Sequence, residues 1–341
     1  MQHSHDFRVL ALGRVLGGMS TSLLFCSFET WMVSAHRKGG YPEKWLAQTC
    51  SIASVGNGVV AIAAGFIAQV SADAWGDIGP FRVAIALTVV VLLLVLTWEE
   101  NTGDDQVDEA VVTSGKKKKG RDAARSTGTC NALRVVASSP TIVILGLVQS
   151  LFEGAMYTFV FQWVPTLMRL LAKEGKKVPT TYFGAGGPGA SLPTGVVFSC
   201  FMACTAMGGI LSYAFPKIGV ERSAVLVCAI AALSMVVPAL GLDFAPTFVA
   251  FLVMEACVGA FYPAMGIMRA KYVPTHLQST IMTIFRLPLN LLVIAGTKLD
   301  TAPFHLSTEG VFAIVALWFA LGAFLQAVMF KIAKQPKSNA E

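Results

Sequence analysis

The sequence predicts an all-α polytopic membrane protein of about nine transmembrane helices. Three observations carry that prediction. Hydrophobic residues make up 55% of the 341 residues and charged ones only 13%, where a soluble domain is roughly a quarter charged. The apolar residues fall in unbroken runs of about 20, enough to cross a hydrocarbon core of about 30 Å as a helix; a membrane barrel would instead show alternation over about 10 residues. The Lys and Arg residues gather at the ends of these runs, so the net charge of +6 is a topology signal and not a nucleic-acid one.

The spans follow in order, with bounds good to a few residues. The first, roughly 9–34, holds only Arg14 and Glu29 as charged groups and stops before Arg37, Lys38 and Lys44. The second and third, roughly 46–72 and 80–98, end at a charged segment, 99–139. The fourth, roughly 141–170, begins after Arg134 and closes among Arg169, Lys173, Lys176 and Lys177. The fifth and sixth, roughly 194–215 and 222–242, are parted by Lys217 and Arg222. The seventh, roughly 246–268, stops at Arg269 and Lys271. The eighth and ninth, roughly 278–298 and 309–332, complete the set, the last running into Lys331, Lys334 and Lys337.

Alternate loops, starting with the one after the first span, hold most of the basic residues. Those loops are expected on the cytoplasmic side, with the C-terminus inside and the N-terminus outside. An odd span count breaks the repeat symmetry common in transporters, so the chain is expected to lack helices at its start. Segment 99–139 runs from acidic (Glu99, Glu100, Asp104, Asp105, Asp108, Glu109) to basic (Lys116 to Lys119, Arg121). Too polar to bury a core, it reads as a cytoplasmic linker. The expected organisation is therefore a partial N-terminal bundle (1–98), the linker (99–139), a six-helix C-terminal bundle (140–334) and a short cytoplasmic tail (335–341).

Several function classes drop out. Gly184, Gly186 and Gly189 form a GxGxxG, but no strand precedes them and no βαβ unit surrounds them, so they read as an outside loop. The seven cysteines lie mostly inside spans; Cys200 and Cys204 share a helix face without a nearby histidine, which suits packing better than metal or redox chemistry. No cofactor or metal is expected. No HExxH or GxSxG occurs, and the histidines fall in loops or the N-terminal tail, so the chain does not read as an enzyme. The segment MQHSHDF lacks the pattern of a cleavable signal peptide.

Three glutamates interrupt apolar stretches: Glu29 in LLFCSFETWMV, Glu153 in VQSLFEGAMYTFVF and Glu255 in FVAFLVMEACVGAFYP. A carboxylate at bilayer depth costs roughly 3 kcal/mol on insertion scales, and it persists where it lines a polar pathway or is paired. The simplest reading is a transporter with a charged interior.

Three spans, a charged loop and six spans resemble a major facilitator superfamily protein without its first three helices. GRVLGGMSTSLLFCSFETW, QSLFEGAMYTFVFQWVP, EACVGAFYPAMGIMRAKYVP and IFRLPLN together resemble, in order, the eukaryotic molybdate-anion transporter family of that superfamily. Gly13 and Gly17 give a helix-packing GxxxG, and Ala35-His36 matches a His-containing loop. The chain departs from the pattern in the missing helices, in the loops 99–139 and 171–193, and at Thr275-His276.

The resemblance implies uptake of molybdate or a similar small oxyanion by alternating access across a lipid bilayer, the plasma membrane first among candidates, with no nucleic acid and no obligate protein partner. Sulfate or another solute, or a receptor or scaffold that moves nothing, are the other readings. A desolvated dianion requires hydrogen-bond donors and positive charge. The expected substrate-binding or gating residues are Arg286, whose planar fork suits two oxyanion oxygens, with Arg14, Asn57, Asn290 and Gln149; Gln162 is a further possible donor. Asn57 and Asn290 would occupy pseudo-symmetric helices. Glu153, Glu255 and Glu29 are expected either to exchange protons that offset the dianion's charge or to form buried ion pairs, Arg286 being the natural partner of Glu153 or Glu255. Glu29, nearer the cytoplasmic end, suits a gate or a structural pair.

Overall fold

A computed structural model describes residues 6–98, 132–175, 192–274, 278–301 and 304–334. The acidic and basic runs of the linker, the Gly184–Gly189 loop, Thr275-His276 and the tail lie outside the described residues, as do the side chains of Glu29, Cys26 and Cys50. Among the described residues the long elements are helices: α1 (Phe7–Lys38), α2 (Glu43–Trp75), α3 (Gly79–Val95), α4 (Pro140–Lys173), α5 (Thr194–Leu211), α6 (Val220–Ala239), α7 (Phe244–Tyr272), α8 (Gln278–Gly296) and α9 (Thr308–Lys334). Each expected span falls on one of them. Residues 132–138, the end of the expected linker, are also helical, and Ala132 is fully buried.

Local chemistry sets several ends. Ser139 is extended (φ −117°, ψ 102°) because Pro140 follows it, and that proline opens α4 where its missing N–H costs nothing. Val273 is extended before Pro274, which stops α7. Gly219 (φ 98°) turns the chain between the short helical turn Phe215–Ile218 and α6, a conformation that L side chains resist. Pro165, Pro238, Pro263 and Pro288 lie inside α4, α6, α7 and α8. Transmembrane helices tolerate such prolines because neighbouring groups satisfy the freed carbonyls. Segments of α2 and α9 and the whole of α4, α5, α6 and α7 are long and apolar enough to cross a membrane, while α3 and Thr280–Gly296 are shorter apolar helices.

The chain forms two units. One takes in residues up to Asn57 and those from Ile85 to Lys118. In it Trp98, just past α3, packs against α1, tilted on Trp31 at 4.8 Å and edge-on to Phe28 at 6.2 Å. His36 Nε2 lies 3.1 Å from the Pro42 carbonyl and so braces the α1–α2 turn.

The other unit comprises residues 58–84 and the chain from 119 onward. Helix α4 runs through it, packed against α7, α8 and α9; α6 lies against α7 and α9, and α5 against α7. Its core is aromatic. Phe152 stacks on Phe261 at 3.7 Å and meets Phe319 edge-on, and Phe159 meets Phe251 edge-on at 5.0 Å. Outward-facing positions carry Leu226, Leu233, Val249, Leu317 and Phe324, all exposed, as a face toward lipid requires.

Close backbone approach is the second packing device. A Cβ on Gly208 would strike the Ala256 carbonyl, and one on Gly259 would strike Thr205, so α5 and α7 touch main chain to main chain. Gly65 and Gly195 do the same for α2 and α5. There Gln69 accepts a hydrogen bond from the Gly195 N–H at 3.0 Å, and the Ser199 hydroxyl donates to the Ile62 carbonyl at 2.8 Å.

Candidate functional site

Two neighbouring rows on α4 build the site. The i, i+4 row Gly146, Ser150, Gly154 and Thr158 faces α8. Cβ atoms on Gly146 and Gly154 would meet Phe285 and Leu292, and one on Gly296 would meet Thr158. The Ser150 hydroxyl lies 3.0 Å from the Phe285 carbonyl oxygen. This small, knobless row draws α8 in and fixes Phe285, and with it the next residue, Arg286.

The adjacent row is Gln149, Glu153 and Tyr157. Residues four apart are neighbours on a helix surface, and the Gln149 amide donates to Glu153 Oε1 at 2.9 Å. From α7, Arg269 Nη1 donates to Gln149 Oε1 at 3.2 Å. Gln149, itself buried, is therefore a relay between a guanidinium and a carboxylate. Arg286 from α8 lies within electrostatic reach of both Glu153 and Tyr157. Tyr262 of α7 closes the group: it interacts with Glu153, Tyr157, Glu255 and Arg269, and its hydroxyl donates to the Met156 sulfur at 3.6 Å. Three helices thus bring two guanidiniums, one carboxylate, an amide and two phenols together. Glu153 is the fourteenth of the 34 residues of α4, about 20 Å from the start of the helix, which is bilayer depth.

Glu255 lies on the other side of Tyr262, with Thr205 as its hydrogen-bond partner and not an arginine. It is 7% exposed, and its Oε2 accepts a hydrogen bond from the Thr205 hydroxyl of α5 at 3.0 Å. The alternative in which Arg286 neutralises Glu255 is not what the structure forms; Glu153 has that neighbour. Cys204 lies beside Glu255, and Cys200, Cys204, Cys228 and Cys257 are all free thiols.

The remaining expected residues are dispersed. Asn290 lies one turn beyond Arg286 on α8, and its side chain is exposed. Arg14 on α1 and Asn57 on α2 are exposed in the other unit. Gln162 is buried and donates to Asp300 Oδ2 at 3.0 Å, tying α4 to the segment after α8. Sequence reasoning missed Arg269, Tyr157 and Tyr262. Arg269 reads as a loop marker when the seventh span ends at about residue 268; α7 instead continues to Tyr272, which makes Arg269 a helical residue one turn from its end. A groove of about 580 Å³ between α2 and α3, lined by Phe66, Ile67, Val70 and Trp75, offers an oxyanion no charge.

The charged ends of the helices pair with one another. Arg169 of α4 meets Glu309 of α9 at 2.5 Å, and Glu174 accepts the Phe244 N–H at the start of α7. At the opposite end Lys271 and Tyr272 of α7 both donate to Glu221 of α6.

A family model described as sugar transporters with 12 transmembrane segments (MFS_5) matches residues 1–259. The chain is also similar to proteins named molybdate-anion transporter. It is 30% identical to that of Xenopus tropicalis over 346 aligned positions, covering 97% of this chain and 68% of the relative. The Xenopus laevis protein gives the same identity and coverage. The Takifugu rubripes protein is 29% identical, with 86% of this chain and 61% of the relative covered.

Proposed function

Because the chain belongs to the molybdate-anion transporter family of the major facilitator superfamily, we propose that it carries molybdate, a tetrahedral dianion, across a membrane by alternating access. The observation that supports this most is the Arg286–Glu153–Gln149–Arg269 group, which gathers positive charge and donors on three helices at bilayer depth. A dianion leaving water requires what these residues offer: planar guanidinium donors and an amide. Intramembrane ionisable groups facing one another mark a substrate path more readily than they serve stability. In this reading Arg286 and Gln149 contact the anion, Asn290 extends the path one turn along α8, and the plasma membrane is the site of uptake. Glu29, Arg14 and Asn57 belong to the N-terminal helices α1 and α2.

The test is uptake of isotopically labelled molybdate by cells lacking their own uptake system and expressing the full chain. Accumulation above control, reduced little by a large excess of sulfate, is expected. Absence of accumulation from correctly inserted protein sinks the proposal; full competition by sulfate changes the substrate.

A further inference from the structure

The polar group on α4, α7 and α8 is not charge-balanced. Arg269 and Arg286 bring two positive charges and Glu153 one negative charge. The two basic residues in the last turn of α7 also part company. Lys271 pairs with Glu221 at the periphery, whereas Arg269 turns to Gln149 on α4. A residue serving only the negative end of a helix would stay on its own terminal carbonyls. Arg269 instead reaches across, giving one of its five donors to Gln149 and keeping a planar fork for an oxyanion.

We propose that Arg269 is the second cationic arm of the substrate site and that Glu153 is its resident counter-anion, which a divalent oxyanion replaces after Glu153 takes up a proton. The identity of the dianion rests on the transport reading above; the two-arginine, one-glutamate site does not. The charges fix the order of events. With Glu153 ionised, the empty group carries one net positive charge, and adding a dianion leaves one net negative charge in a medium that penalises it. One proton from the aqueous side onto a Glu153 carboxyl oxygen makes the loaded site neutral. Protonation also gives Glu153 an O–H donor to turn toward the anion. The groups facing Glu153 are Gln149 and Tyr157 from its own helix, Arg269 and Tyr262 from α7, and Arg286 from α8. Glu255 on α7 bonds Thr205 of α5 and reaches the group only through Tyr262, not through either arginine. Helix α9, also packed on α4, carries its charged residues, Glu309, Lys331 and Lys334, only in its end turns. One proton per dianion is therefore the stoichiometry these residues support.

Binding of molybdate and of sulfate to the purified full chain, by calorimetry between pH 6.5 and 8, tests the site; flux of labelled molybdate into proteoliposomes tests transport. Wild-type affinity for the bound dianion should tighten as pH falls, with one proton taken up per anion. Arg269→Gln should weaken binding at least tenfold, and Arg269→Lys should weaken it less. Glu153→Gln should bind more tightly than wild type at pH 8 and lose the pH dependence. The double variant Arg269→Gln/Glu153→Gln restores the single net positive charge, so it should bind better than Arg269→Gln alone. Wild-type affinity in Arg269→Gln, no recovery in the double variant, or a flat wild-type pH profile each overturns the assignment. Binding with these signatures but without flux overturns transport and leaves the site standing. Flux with an unaffected Arg269→Gln does the reverse, and failure of both dianions to bind overturns both.

Discussion

Arg286 and Thr205 show how single side chains divide between transport and stability. Arg286→Ala removes a charged donor from the proposed path but no buried contact, since its side chain is exposed while Phe285 beside it does the packing. A charge-assisted hydrogen bond contributes about 1.5–3 kcal/mol. Uptake should therefore fall about 10- to 100-fold, with melting temperature and surface expression unchanged; normal uptake by this variant removes Arg286 from the path. Thr205→Val keeps the shape of the side chain but removes the hydroxyl bonded to the buried Glu255. Leaving that carboxyl without its partner should cost about 1–3 kcal/mol, read as a lower melting temperature of the purified protein. Glu153, Glu255 and Arg286 were legible in the sequence because a charge within an apolar run is conspicuous one position at a time. Arg269 was not, because its standing depends on where α7 ends, and a basic residue one turn inside a helix looks the same as one just outside it.

At the level of elements, the helices follow from the sequence, and their contacts follow from glycines that hydropathy does not see. Gly208 and Gly259 let α5 and α7 approach until main chain meets main chain. Gly259→Leu forces these helices apart, and overpacking of this kind costs about 1–3 kcal/mol or more. The expected result is a clear drop in melting temperature and in the yield of folded protein. Gly209→Ala is the control: its Cβ would sit 3.8 Å from the Gly259 carbonyl, an ordinary contact, so stability should hold. Equal losses from both substitutions would show that helix propensity and not close approach sets the packing. The row Gly146, Ser150, Gly154 and Thr158 does the same for α4 and α8. Its neighbour Gln149, Glu153 and Tyr157 comes within reach of Arg286 only because the first row has fixed α8. The period of a helix gives each row by inspection, but nothing in one row names the helix it will meet.

Across the whole molecule, polar pairs lace the helix ends while Gln149, Glu153 and Arg286 stand inside α4 and α8. Arg169 is exposed and Glu309 partly so, and ion pairs open to solvent contribute only about 0–1 kcal/mol. Arg169→Ala should thus shift the melting temperature little and leave uptake near wild type; a large loss of uptake would make this pair a gate. The sequence by itself determined that this is a polytopic helical membrane protein, roughly where each helix runs, and that carboxylates and an arginine stand within its apolar spans. It could do so because the bilayer imposes one length and one polarity on every span. Only the tertiary structure decided which charges meet: it set Arg286 and Arg269 around Glu153, gave Glu255 to Thr205, and made Gln149 a relay. Those pairings depend on helix rotation and on side-chain reach between residues far apart in the chain, 120 positions for Gln149 and Arg269, which no local pattern encodes.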